Sequence, residues 1–188
     1  MSDLPQIADS VRFTSDFPMA DFMKICGSAH ICGSTNHAHY RCEEGNYRAY
    51  MFATDNIICD FVIFKVMHGG LAWELQTFST DKKGRYSKFV TNSMKLAKRQ
   101  RKLISGNMSE AECRLWLELR NGGMSCILFD TENGAMAYPS EIDLSQMDKK
   151  YKWVTSPTDE FNKNSLLCGN VELISSHGTF HNGIGNPQ

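Results

Sequence analysis

Residues 71–123 constrain the fold more than any other stretch of the chain. They read as a strand, a tight polar turn, a basic amphipathic helix, a short strand, a second helix with a capped start, and a glycine stop. The first turn is Thr80-Asp81-Lys82-Lys83-Gly84-Arg85-Tyr86-Ser87. Two lysines, an arginine and a glycine therefore sit where a strand hands over to a helix. The first amides of a helix have no intrahelical partner, and its dipole favours negative charge beside them. A cationic turn at such a start suits a phosphate, and hence a phosphate-bearing cofactor.

The helix that follows, over residues 86–102, places Phe89, Val90, Met94 and Ala97 at helical spacing. Lys88, Lys95, Lys98, Arg99 and Arg101 fill its other face. That face lacks the interleaved aromatics of a nucleic-acid platform, so a solvated surface is the expected use. Leu103-Ile104-Ser105 reads as a short strand. Ser109 and Glu112 then form a capping box, and the helix runs through Leu115, Trp116 and Leu119 to Gly122-Gly123. Residues 124–129 read as a strand ended by Glu132-Asn133-Gly134.

Upstream, residues 47–54, 57–67 and 71–79 form an expected antiparallel meander, turned at Asp55-Asn56 and His68-Gly69-Gly70. The middle run is apolar on both faces, as a central strand should be. Residues 16–25 read as a short helix with Asp16 as its cap and Pro18 in the first turn. Residues 26–44, rich in Gly, His and Cys, read as a loop. Beyond Ser140 the signal decays, and residues 177–188 read as a disordered tail. The expected fold is α/β, a mixed and mostly antiparallel sheet flanked by helices. Residues 1–145 are expected to form the domain and residues 146–188 a partly disordered extension.

Composition narrows the function classes. The chain has 188 residues, 41% of them hydrophobic, enough for a sizeable core. Its net charge of −1 gives no global pull toward nucleic acid or a membrane. No apolar run is long enough to span a bilayer, and the start, Met1-Ser2-Asp3-Leu4-Pro5, lacks a secretory pattern. Seven cysteines without framework spacing fit reduced thiols and a cytoplasmic location.

The order β-β-β-turn-helix-β-helix-β over residues 47–129 resembles the GCN5-related N-acetyltransferase superfamily, in a divergent form of the kind that phage genomes also carry. The resemblance implies an acyl-CoA N-acyltransferase-like fold and acetyl-CoA as cosubstrate. The strand at 71–80, the turn at 81–87 and the next helix match the segment that holds the cofactor pyrophosphate. Phe78, Thr80, Lys82, Lys83, Gly84, Arg85, Tyr86 and Ser87 are the cofactor-binding candidates there. Ser105-Gly106-Asn107 with Ala111, Arg114-Leu115-Trp116, Leu119 and Gly122-Gly123 matches the late segment, adding Asn107 and Trp116. After Gly84 stand Arg85 and Tyr86, so the family's second small residue is either missing or displaced to Ser87. Trp116 takes the place of a common tyrosine, and an indole N–H cannot protonate a leaving thiolate.

Glu74, on the strand before the turn, is the candidate base for an amine acceptor; the bland alternative is an exposed strand carboxylate. Backbone amides near Phe78 are expected to polarise the thioester carbonyl. The implied reaction moves an acetyl group from acetyl-CoA to an amine, on a small molecule or a protein. A second reading keeps the fold without catalysis and works by partner binding, as a phage structural or host-inhibiting protein would.

Cys26, His30, Cys32, His37, His39 and Cys42 are a dense set of potential ligands, but no Cys-x-x-Cys pair occurs among them, so no metal is expected. His177-Gly178-Thr179 is half of a paired phosphoesterase signature that has no second copy, and no serine sits in a Gly-x-Ser-x-Gly elbow.

Overall fold

The structure is a computed structural model that describes residues 6–31, 37–137 and 150–155. Among these residues the chain is α/β, with three helices and mixed, mostly antiparallel strand pairing. Two compact units are present, one within residues 1–65 and 75–94, the other within residues 66–74 and 95–188.

The first unit opens with β1 (Gln6–Ile7) and β2 (Val11–Phe13), followed by α1 (Met19–Gly27). The helix starts later than the sequence suggests. Pro18, not Asp16, is the capping residue, and its carbonyl accepts the amides of Asp21 and Phe22. Proline lacks an N–H but keeps this acceptor, which suits it to a helix start.

The stretch read as a loop contains two strands, β3 (Ala29–Ile31) and β4 (His37–Glu44), paired antiparallel. β4 is held by eight residue pairs with β5 (Tyr47–Thr54). The segment looked like a loop because it is polar and carries little β-branched signal. Cross-strand partners supply what its own propensity lacks. β5 turns into β6 (Ile57–Met67) through Asp55 and Asn56, both at positive φ, which is the two-residue hairpin geometry. β6 neighbours β7 (Ala72–Asp81) across a 3-10 turn at His68–Gly70. β1 pairs parallel with the start of β6, and β2 pairs antiparallel with the end of β7.

The core of this unit is aromatic. Phe22 and Phe61 are fully buried, their ring centres 5.2 Å apart, and Phe13 packs on Phe22 at 5.1 Å. Burial of side chains this large contributes about 1.5–3 kcal/mol each. α2 (Lys88–Gln100) leaves this unit, with Val90 and Met94 buried and Lys88 exposed, as its amphipathic pattern predicts.

In the second unit β8 (Lys102–Ile104) runs parallel to the first residues of β7, Ala72 to Glu74. α3 (Glu110–Asn121) follows. Gly122 and Gly123 end it as expected, with the Gly123 amide on the Arg120 carbonyl and φ at +89°. β9 (Cys126–Asp130), β10 (Met136–Ala137) and β11 (Tyr151–Thr155) complete the unit. β11 lies between β8 and β9, antiparallel to both. This strand falls beyond the expected boundary at residue 145, yet Trp153, Val154 and Thr155 are buried in the sheet. The expected tail at 177–188 lies outside the described residues.

Candidate functional site

The cofactor-turn residues belong to the first unit, whereas Glu74, Asn107 and Trp116 belong to the second. Each group is described by itself.

In the first unit the chain leaves β7 at Asp81 and enters α2 at Lys88. Lys82, Lys83, Gly84 and Arg85 are exposed. Gly84 has φ +75°, a conformation that side chains resist, so a glycine is required there although space is open around it. The Asp81 carboxylate organises the turn. Its Oδ1 accepts the amides of Lys83 at 2.8 Å and Arg85 at 3.0 Å. Its Oδ2 accepts Arg85 Nε at 2.9 Å and lies 2.7 Å from the second guanidinium nitrogen. The Gly84 amide bonds the Asp81 carbonyl. These bonds, with the Arg85 guanidinium, hold the Asp81 carboxyl below the usual carboxylate range.

Thr80, Asp81, Arg85, Tyr86 and Ser87 line a pocket of about 410 Å³ together with Ser10, Val11, Cys59 and Asp60. The Ser87 hydroxyl is buried there without a hydrogen-bond partner. The Tyr86 ring meets Phe78 edge-on, 6.0 Å between centres. Phe78 is fully buried; its amide donates to Thr14 Oγ1 at 3.2 Å, and its carbonyl accepts the Thr14 amide. Thr80, also buried, pairs with Arg12. The end of β7 thus has its backbone engaged by residues 12 and 14.

In the second unit Glu74 is about a quarter exposed, and its carboxylate lies 3.9 Å from Lys152 Nζ. Lys152 also donates to the carbonyls of Ser105 and Gly106. Beneath them sits Glu112, only 2% exposed. It accepts the Gly106 amide at 2.6 Å, the Met108 amide at 3.1 Å and the Trp116 indole at 3.3 Å. Burial pushes its carboxyl up to about 7, against the pull of these donors and of Lys152. Ser109 caps α3 by accepting the Glu112 amide, as the capping box predicts. The reciprocal bond differs: Glu112 turns to Gly106 and Met108, while the Ser109 amide bonds Asn107 Oδ1. Met108 takes a positive φ of 55°, strained for a side-chain-bearing residue, and the Glu112 bond holds it.

Asn107 is exposed, and Trp116 is fully buried. The Trp116 ring stacks on Trp153 with 6.2 Å between centres and 3° between planes. Sequence reasoning missed the roles of Lys152 and Glu112. Lys152 carries no local signal, because its partners stand 46 and 47 positions away. Asp81 carried a weak one, since aspartate commonly accepts amides two residues on.

Of the Cys/His set, Cys26 is buried against Met51, its thiol pushed up to about 12 by desolvation, and Cys42 is buried too. His39 packs beside Phe52 and Phe89. The side chains of His30, Cys32 and His37, like residues 177–179, lie outside what is described. Among the described residues no three ligand-type side chains converge, and no helix is long and apolar enough to cross a membrane. No protein-family model matches the chain, and no curated protein matches it.

Proposed function

We propose that the chain is an N-acyltransferase that moves an acetyl group from acetyl-CoA to an amine. One observation carries the reading: β7 and β8 pair in parallel, α2 connects them, and a cationic turn stands at the carboxyl end of β7. Ligands of open α/β sheets gather at the carboxyl ends of strands, and phosphates gather at helix starts. The acceptor nitrogen would attack the thioester carbonyl, the CoA thiolate would leave, and Glu74 would take the amine proton. Lys82 and Lys83, both exposed, supply charge for the cofactor phosphates.

Calorimetry with acetyl-CoA and CoA tests this. At a hundredfold excess over the dissociation constant the ligand should stabilise the fold by about 2.7 kcal/mol. No heat and no thermal shift at millimolar ligand would remove the enzyme reading.

A second reading, the same fold acting only by partner binding, has its own support. The amides of Phe78, Lys83, Gly84 and Arg85 already have internal partners, and Trp116 is sealed from solvent. A protein of this kind would bind neither CoA nor acetyl-CoA.

A further inference from the structure

The cavity beside the end of β7 lies where the chain crosses from β6 to β7. β1 pairs with β6 at Ile57 and Ile58, and β2 pairs with β7 from Ser79 to Asp81. Residues 8–10 join the two, tied by the Ala8 amide on the Ile58 carbonyl and the Val11 amide on the Ala8 carbonyl. β6 is bulged at the next residue. Phe52 of β5 faces Asp60 and Ala53 faces Ile58, which leaves Cys59 as the extra residue. A bulge re-aims the side chains around it and is common beside functional sites. Cys59 and Asp60 both line the cavity, whose 410 Å³ suits a small molecule.

Asp60, Asp81 and Arg85 are the charged side chains of the lining, whereas Lys82 and Lys83 stand outside it. Asp81 and Arg85 neutralise each other at 2.7 Å. Asp60 has no such partner. Its Oδ1 accepts the Ser79 hydroxyl at 3.0 Å, and among the described residues no cation pairs with its carboxylate. Two carboxylates against one guanidinium leave one net negative charge, which repels phosphates and carboxylates. A hard metal ion would find too few oxygens, because those of Asp81 are already engaged. An ammonium group needs one carboxylate and brings three donors. Ser87 Oγ, buried without a partner, is a further acceptor in the lining, and the Tyr86 ring suits a cation or an apolar body.

We infer that this cavity binds a small primary amine, with its ammonium group on Asp60 and its carbon body against Val11 and Tyr86. The charge that selects it comes from the bulged strand and not from the basic turn. The site therefore holds its amine whether or not the chain transfers acyl groups.

Cys59 supplies the reporter, since it is partly exposed while the other described cysteines are buried. The full chain is titrated at neutral pH with butylamine and phenethylamine, each beside its uncharged counterpart, butanol or phenylethanol. Amide NMR follows Val11, Cys59 and Thr80, and peptide mass spectrometry follows modification of Cys59 by a methanethiosulfonate reagent. An amine should shift these amides, and at ten times its dissociation constant it should slow Cys59 modification about tenfold by mass action. The alcohols should do neither at the same concentration. Asp60→Asn keeps an acceptor for the Ser79 hydroxyl but loses the charge, and it should weaken amine binding about tenfold or more, since charge-assisted bonds are the stronger ones. If the spectrum of Asp60→Asn shows that the fold is lost, the comparison of amine with alcohol in the wild type decides. Neither amine shifting these amides or protecting Cys59, an alcohol matching its amine, or equal amine affinity in a folded Asp60→Asn protein overturns the inference.

Discussion

Lys152 Nζ lies 3.9 Å from the Glu74 carboxylate, joining β11 to the strand that carries the candidate base. Both side chains are about a quarter exposed, so solvent screens the pair and it contributes at most about 1 kcal/mol. Its value is positional. Lys152 is also held by the carbonyls of Ser105 and Gly106, so Glu74 faces a cation whose place is set by the loop ahead of α3.

Glu74→Gln should keep the fold and the acetyl-CoA affinity but lower turnover with primary amines by about a hundredfold or more, the usual contribution of a general base. The loss should shrink at high pH, where the amine is neutral without help. Steady-state rates across pH check this. Equal turnover in the two proteins would leave proton removal to another group.

Glu112 should make stability fall as pH rises between about 5 and about 7. Its folded-state value, about 7, stands above its unfolded value of 4.5. The folded protein therefore keeps a proton that the unfolded chain has released, and that advantage disappears as pH climbs through the folded value. Glu112→Gln should abolish this slope. It should also destabilise by about 1–3 kcal/mol, because an amide nitrogen would face N–H donors that need an acceptor. Melting temperatures of both proteins across this range decide it; parallel curves would show that Glu112 does not titrate in the fold. The depressed carboxyl of Asp81 titrates below this window, since its contribution is present above the usual aspartate range and is lost only as pH falls.

Trp116→Ala should destabilise by about 3–5 kcal/mol, the cost of emptying a large buried aromatic site. The ring is fully buried, stacks on Trp153 and donates its indole N–H to Glu112. Denaturant unfolding measures this. Trp116→Phe should recover part of the packing but not the Glu112 bond. A loss below about 1 kcal/mol for Trp116→Ala would mean that the ring is not the core element described.

How much of this was legible depends on how far apart the interacting groups lie in the chain. β5, β6, α2, α3 and their stops follow from local rules. An apolar period sets each element, Asp55 and Asn56 tolerate the left-handed turn, and Gly123 accepts a φ that ends α3. The cationic turn was equally plain, because its composition and its place after a strand are local facts. So was the capping serine, whose bond spans three residues.

The tertiary structure alone decided the rest. β3, β4 and β11 have weak periodicity of their own and exist as strands through pairing with partners elsewhere in the chain. Glu112 could have closed its capping box, but the buried amides of Gly106 and Met108 and the Trp116 indole captured it, since unpaired donors in the interior are costly. Asp81 and Arg85 are near neighbours, yet sequence shows only a charged turn and not that one charge has claimed the other. Local propensity is written residue by residue. Which donor meets which acceptor is settled when distant segments pack, because only then does desolvation penalise every polar group left without a partner.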